Sequence, residues 1–203
     1  MTRLLLVRHG ITEYNNDRRF MGHSDIGLSP VGRQQVERLS NYLKDEKIDA
    51  VYASDLTRTM ISAQIIIGKR NLSIIPCPEL REVNYGTCEG LTFGEISRDY
   101  PDVAEKCIHF TLELEFPRGE RFREFIDRSS KFLERLKKHK STDTILVVSH
   151  NGPLKVLICR LLEIDMEHWW QIAVDIASLN IIETSARGAI LKRLNDVSFL
   201  KDN

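Results

Sequence analysis

Thr144-Ile145-Leu146-Val147-Val148-Ser149-His150-Asn151-Gly152-Pro153 is the stretch on which the fold turns. Five β-branched or apolar residues run without polar interruption, which is the pattern of a strand covered on both faces, as in a parallel sheet. The run stops at a polar quartet, and Pro153, suited to a first helical turn, opens a helix that continues through Leu162. Strand, polar corner, helix is one half of a βαβ unit, so the next question is whether the pattern recurs.

It recurs along the chain. Leu4 to Val7 reads as a second buried strand, ending at Arg8-His9-Gly10. A polar loop from Ile11 to Leu28 follows, and Ser29-Pro30 caps a helix carrying Val36, Leu39 and Leu43 at helical spacing. Ala50 to Ala53 is a short buried strand, followed by a helix from about Thr57 to a stop at Gly68, and Ile74-Ile75 before Pro76 is a further strand. Phe122, Phe125, Ile126, Phe132, Leu133 and Leu136 predict an amphipathic helix over 122–139. Ala177 to Glu183 and Ala189 to Leu194, separated by Ser185-Ala186-Arg187-Gly188, read as a closing hairpin. Alternation of this kind predicts an α/β fold, a three-layer sandwich with a mostly parallel central sheet and helices on both faces. One domain is expected over 1–203, with an irregular excursion holding short helices at about 76–120, rich in glycine, proline and acidic residues.

Composition narrows the function. The chain has 203 residues, 42% hydrophobic and 29% charged, and 29 basic side chains balance 29 acidic ones. With no net charge there is no global field to gather nucleic acid or an anionic membrane, so an anionic ligand needs a local cluster. Arg135 to Lys140 is the densest basic run, but it closes a helical pattern, where cations suit the last turn. Cys77, Cys88, Cys107 and Cys159 are scattered without a CxxC pair, which argues for reduced thiols rather than a zinc ribbon or disulfide framework. The N-terminal apolar run is too short for a signal segment, and none approaches the ~20 residues that span a bilayer. The expectation is a soluble cytoplasmic protein, monomeric or homodimeric, without cofactor or metal, acting on a small phosphorylated metabolite.

The phosphate part of that expectation comes from the strand ends. His9 and His150 each follow a buried strand at the sheet edge where open α/β proteins bind ligands. A histidine after a strand is more often a structural hydrogen-bonder, yet both lie close to a glycine and one follows Arg8. Arginine offers a planar fork of donors to phosphate, and a neutral imidazole attacks phosphorus. Arg58, early in its helix, is placed for an anion or equally for a surface ion pair. Glu82, in Leu80-Arg81-Glu82, reads alone as a surface glutamate, and as a proton donor if its pKa is raised.

Taken together, these places carry a resemblance. Leu6-Val7-Arg8-His9-Gly10-x-Thr12, Ser54-x-Leu56-x-Arg58-Thr59-x-x-Ser62-Ala63, Leu80-Arg81-Glu82-x-x-x-Gly86-x-x-Glu89-Gly90 and Val148-Ser149-His150-x-Gly152 occur in the order and spacing of the histidine phosphatase superfamily, phosphoglycerate-mutase-like branch. The resemblance implies that His9 is phosphorylated, that Arg8, Arg58 and a cationic His150 grip the phosphoryl oxygens, and that Glu82 donates the proton. It also places Asn15, Gly22, Tyr85 and Asn151 around the substrate. The chain departs from the family pattern at Ile11, Tyr14 and Cys88, and at Arg118 and Arg121 within Pro117-Arg118-Gly119-Glu120-Arg121, none of them in the catalytic set.

Phosphatases and mutases of this kind share that set, so the choice falls to the rest of the substrate. Pro101 to Phe116 is net acidic and lacks paired arginines for a second phosphate or carboxylate, which favours hydrolysis over mutase-type transfer. Members of this length resemble α-ribazole-phosphate phosphatases of cobalamin synthesis and broad-specificity phosphatases. A different class, an inert module that binds a phosphorylated ligand, is opposed by the intact set. A zinc hydrolase is opposed by the absence of HxxEH-type spacing. Trp169-Trp170 reads as core, or as a dimer contact or pocket rim; His23 and His109, in loops, are placed to line the pocket mouth.

Overall fold

The computed structural model describes residues 1–109 and 111–201; Phe110, inside the predicted excursion, lies outside the described residues. The elements in chain order are β1 (Thr2–Arg8), α1 (Glu13–Asn16), α2 (Pro30–Tyr42), β2 (Ala50–Ala53), α3 (Thr57–Ile67), β3 (Ile74–Pro76), α4 (Phe93–Asp99), α5 (Pro101–His109), α6 (Phe122–Lys131), α7 (Leu133–Leu136), β4 (Thr144–Ser149), α8 (Asn151–Leu162), β5 (Leu179–Ser185) and β6 (Gly188–Asp196). The six strands form one sheet in the order β3-β2-β4-β1-β5-β6. The first four in that order are parallel, while β5 pairs antiparallel with β1 and β6 antiparallel with β5.

Alternation along the strands makes the three layers. Leu4, Leu6, Tyr52, Ile145 and Val147 point to one face and join Phe122, Phe125 and Ile126 of α6 with Leu154, Leu157 and Ile158 of α8. Leu5, Val7, Val51, Ala53, Leu146 and Val148 point to the other, against Val36 and Leu39 of α2 and Ala63 and Ile66 of α3. All eleven strand residues are inaccessible to solvent. Each such side chain contributes about 2 kcal/mol of transfer free energy, which is why consecutive positions must all be apolar.

Four expectations need adjustment. The helix predicted over 122–139 is two pieces. Phe132 stays right-handed helical, but its N–H reaches Ser129 O, three residues back, and its buried ring meets Tyr52 edge-on at 5.3 Å. The helix after β4 begins at Asn151 rather than Pro153, which still leaves the proline in the first turn, where its missing N–H costs nothing. Strand β5 begins at Leu179 because Ala177 is left-handed, with φ of 56°, and cannot continue a strand. The loop after His9 holds a short helix, α1, closed by a reciprocal cap between Thr12 and Asn15.

The excursion contains the expected short helices, α4 and α5, with 3₁₀ turns at Pro78–Leu80 and Gly86–Cys88. His109 ends α5 rather than lying in a loop. The four cysteines are unpaired. Trp169 is core, its ring 4.8 Å from that of Phe122, while Trp170 is half exposed. No helix among the described residues is long and apolar enough to cross a membrane.

Candidate active site

The C-terminal ends of β1, β2 and β4 bring His9, Ser54 and His150 to one sheet edge, with the first turns of α3 and α8 beside them. The two imidazoles meet edge to face, 5.1 Å between centroids, and both are almost wholly buried. His9 Nδ1 lies 2.7 Å from Gly10 O. A carbonyl oxygen only accepts, so Nδ1 carries the proton and Nε2 the lone pair. Burial, reinforced by Arg58 and Arg8, holds the His9 pKa well below 6.5, so the ring is neutral at neutral pH. That is the electronic state of an imidazole nucleophile.

His150 is fixed in the opposite tautomer. Arg58 Nε donates to its Nδ1 at 3.2 Å, so Nδ1 is unprotonated and Nε2–H donates to Ser54 Oγ at 3.0 Å. Burial and then Arg58 keep its pKa well below 6.5. The expectation of a cationic His150 is therefore corrected: a guanidinium already occupies the side where a second proton would sit.

Arg58 is fully buried and committed on three nitrogens. Besides His150 it donates from Nη2 to Gly22 O at 2.6 Å and from Nη1 to Ser24 O at 2.8 Å. Burial brings its pKa down to about 10, which still leaves it charged at neutral pH. The loop it grips is held from the other side by Glu89, whose carboxylate accepts from the N–H groups of Gly22, His23 and Ser24, from Ser24 Oγ and from Tyr85 N, at 2.7 to 3.2 Å. Gly22 is thus a junction between the Arg58 cation and the Glu89 anion. Arg8 donates from Nη1 to Val174 O at 2.8 Å, and its Nε is buried with no acceptor among the described residues.

Glu82 is buried against the start of α8. Its Oε2 accepts from Gly152 N and its Oε1 from Val83 N, both at 3.1 Å. Burial raises its pKa above 4.5 despite those bonds and the nearby arginines. A carboxyl so placed holds a proton to higher pH than an exposed one, as an acid catalyst requires. A Cβ on Gly152 would sit 2.3 Å from Glu82 Oε1, so this glycine makes room for the carboxyl. Gly10 is dictated by packing: a Cβ there would meet Gly32 O of α2 at 2.4 Å.

Of the remaining sequence-derived residues, Asn151 opens α8 beside His150. Tyr85 meets Phe20 and Phe116 edge-on, at 5.0 and 4.9 Å, and burial raises its pKa well above 10. Asn15 spends its Oδ1 on the Thr12 N–H and hydroxyl, both at 3.1 Å, so it closes α1. Sequence reading did not single out Ser54 or Glu89 as site builders, although both stand inside quoted motifs. Of the two residues that hold the Glu82 segment, Glu120 stands inside the quoted Pro117–Arg121 segment without having been singled out, and Arg128 gave no signal beyond an ordinary helix face. His23 adjoins Gly22 at the mouth, half-buried, with Nε2 lacking a partner among the described residues. No group of three or more histidine, cysteine, aspartate or glutamate side chains that fits a metal ion occurs among the described residues.

Comparison with known proteins places this geometry. The sequence profile of the Histidine phosphatase superfamily (branch 1) matches residues 4–197. Phosphoserine phosphatase 1 of Hydrogenobacter thermophilus is 32% identical over 195 residues, covering 96% of this chain and 92% of its own. The adenosylcobalamin/alpha-ribazole phosphatase of Escherichia coli is 31% identical over 194 residues, 95% of each chain. The crystal structure of the alpha-ribazole phosphatase from Shigella flexneri superposes with a TM-score of 0.91 at 30% identity, over 97% of both chains. A profile that spans nearly the whole chain, phosphatases above 30% identity along almost their full length, and one shared fold make this chain a phosphatase of branch 1 of the histidine phosphatase superfamily.

Proposed function

We propose that the chain hydrolyses a small phosphomonoester, without a metal, through a phosphohistidine on His9 Nε2. The observation that carries this is the tautomer of His9: Nδ1–H is tied to Gly10 O, the ring is kept neutral, and the lone pair is left on Nε2. That lone pair attacks phosphorus, the bond to the leaving oxygen breaks, and the oxygen takes the Glu82 proton. The Glu82 carboxylate then takes a proton from water, whose oxygen attacks phosphorus as the P–Nε2 bond breaks. Phosphate leaves, His9 is neutral again and Glu82 is again protonated. Such a loose transition state asks mainly for positive charge and alignment. Arg58 and Arg8 supply the charge, the latter with a buried Nε donor that has no acceptor among the described residues, and His150 aligns Arg58.

The substrate reading rests on what lies beside Glu82. Val83 and Tyr85 line a cavity of about 340 Å³ together with Phe20, Phe116, Phe122 and Trp169. An aromatic leaving group suits such walls better than a second phosphate, which favours α-ribazole phosphate over mutase-type transfer between phosphoglycerates. Lys155 favours a second reading, a carboxylate-bearing substrate such as phosphoserine. Its half-buried ammonium stands 5.2 Å over the Trp169 ring and has no ion pair among the described residues.

The mechanism is tested by quenching turnover in alkali and mapping the phosphoryl group by mass spectrometry. The expected result is a label on the His9 peptide, activity that survives EDTA, and no turnover in His9→Ala. Turnover retained in that variant overturns the mechanism, and binding without turnover in the wild type marks an inert module. Comparing kcat/KM for α-ribazole phosphate, phosphoserine and 3-phosphoglycerate separates the substrate readings.

A further inference from the structure

Glu82 sits on a stretch without regular hydrogen bonding, since residues 81–85 belong to neither a helix nor a strand. Among the described residues its carboxyl is held by two backbone N–H groups, those of Val83 on the same stretch and of Gly152 on α8, so its aim depends on where that stretch runs. One side chain gathers the carbonyls there. Arg128, on α6, donates from Nη1 to Glu79 O and Arg81 O, both at 2.9 Å, with Pro78 O at 3.3 Å, and from Nη2 to Glu82 O at 3.1 Å. Its remaining donors form a fork on Glu120, Nε to Oε1 at 2.7 Å and Nη2 to Oε2 at 2.9 Å. Glu120 in turn binds the far end of the same stretch, accepting from Asn84 N at 3.0 Å through Oε2 and donating its own N–H to Asn84 O at 2.9 Å. The Phe125 ring supports the guanidinium 5.4 Å from its centroid.

We infer that the Arg128–Glu120 pair is a positioning device for proton donation, a bracket that sets the backbone of residues 79–84 and thereby aims the Glu82 carboxyl. The inference rests on the reading of Glu82 as the proton donor. A guanidinium has five N–H donors in a fixed plane, and this one directs them, partly shared, to four carbonyls and both oxygens of a carboxylate. An ammonium has three donors on a point charge and cannot span that set. Among the described residues Pro78, Glu79, Arg81 and Glu82 have no other side-chain donor on their carbonyls, and Leu80 O is taken by Ser149 Oγ at 2.7 Å. Removing Arg128 therefore frees the carbonyls of Pro78, Glu79, Arg81 and Glu82 without breaking a hydrogen bond of His9, Arg8, Arg58 or His150, and Arg128→Lys keeps the charge that acts on His150.

A displaced acid has a signature that a general loss of stability lacks. An alkoxide must be protonated as it departs, whereas p-nitrophenolate leaves without help. The experiment measures kcat/KM for Arg128→Lys, Glu120→Gln and Glu82→Gln on a series of phosphomonoesters running from p-nitrophenyl phosphate to alkyl phosphates. General acid catalysis contributes roughly 10²–10⁴-fold. Arg128→Lys is expected to lose on the order of 100-fold on alkyl phosphates and less than about 5-fold on p-nitrophenyl phosphate. Glu120→Gln, which keeps the shape, follows with a smaller loss of the same pattern, and Arg128→Lys adds little to Glu82→Gln in the double variant. Equal losses on both substrates in Arg128→Lys and Glu120→Gln, or full additivity in the double variant, overturn the positioning role while Glu82 keeps its own. A flat profile in Glu82→Gln overturns the donor assignment itself, and the bracket with it.

Discussion

His9 and His150 are the same side chain at the ends of neighbouring strands, yet their surroundings assign their protons oppositely. A carbonyl on Nδ1 leaves His9 with a free Nε2, while a guanidinium on Nδ1 leaves His150 donating from Nε2 to Ser54. Glu82 shows the converse effect, burial favouring its protonated form. These shifts predict the pH dependence of the reaction. The rate rises as His9 loses its proton, well below pH 6.5, and falls as Glu82 ionises, above pH 4.5. The ratio of wild-type kcat/KM to that of Glu82→Gln, taken on an alkyl phosphate, cancels the substrate's own ionisation. It is expected to fall as pH rises, and a ratio that is level from pH 5 to 8 speaks against proton donation by Glu82.

The helix α8 shows how one element serves both fold and site. Its N-cap is His150, whose side chain makes no capping bond, and the Gly152 N–H that a cap often satisfies goes to Glu82 instead. Glu82 closes the helix end and is held ready by it. In Gly152→Ala a Cβ would stand 2.3 Å from Glu82 Oε1 and 2.8 Å from Phe125 Cζ. The flexible carboxyl gives way before the packed ring does, so activity suffers more than folding. The expected outcome is at least a ~10-fold loss of kcat/KM on alkyl phosphates with destabilisation of about 1–3 kcal/mol from overpacking. Kinetics and urea unfolding check both. A gain in stability of about 1 kcal/mol, the helix-propensity advantage of alanine, with unchanged kinetics would show that the carboxyl does not rest where Gly152 leaves room.

Burying two neutral imidazoles ties the stability of the whole molecule to pH. The unfolded chain binds protons at these histidines near pH 6.5, whereas the folded chain does so only well below it. Below about pH 6.5 the unfolded state therefore holds more protons, and stability falls as pH is lowered. Glu82 acts in the opposite sense, since its raised pKa gives stability that is present at low pH and lost as pH rises through the folded value. One carboxyl against two histidines leaves the acid-side loss dominant. Urea midpoints measured from pH 8 to 5.5 should fall, and His9→Gln should flatten the fall. An unchanged slope in that variant would mean His9 is not the buried base described here.

The chain's layered architecture is legible in its residues because a strand covered on both faces has to be apolar at every position, as 4–7 and 145–148 are. The candidate catalytic set was proposed from motifs, since backbone corners at strand ends keep His9 and His150 next to recognisable neighbours. The protonation of His150 was not legible, because its decisive partner, Arg58, lies 92 positions away. Nor were the anchors of Glu82 legible, with Gly152 70 positions and Arg128 46 positions distant. Apolar burial is dictated position by position and can be read locally. Hydrogen-bond partnership, and with it charge, depends on which distant groups the fold brings within 3 Å.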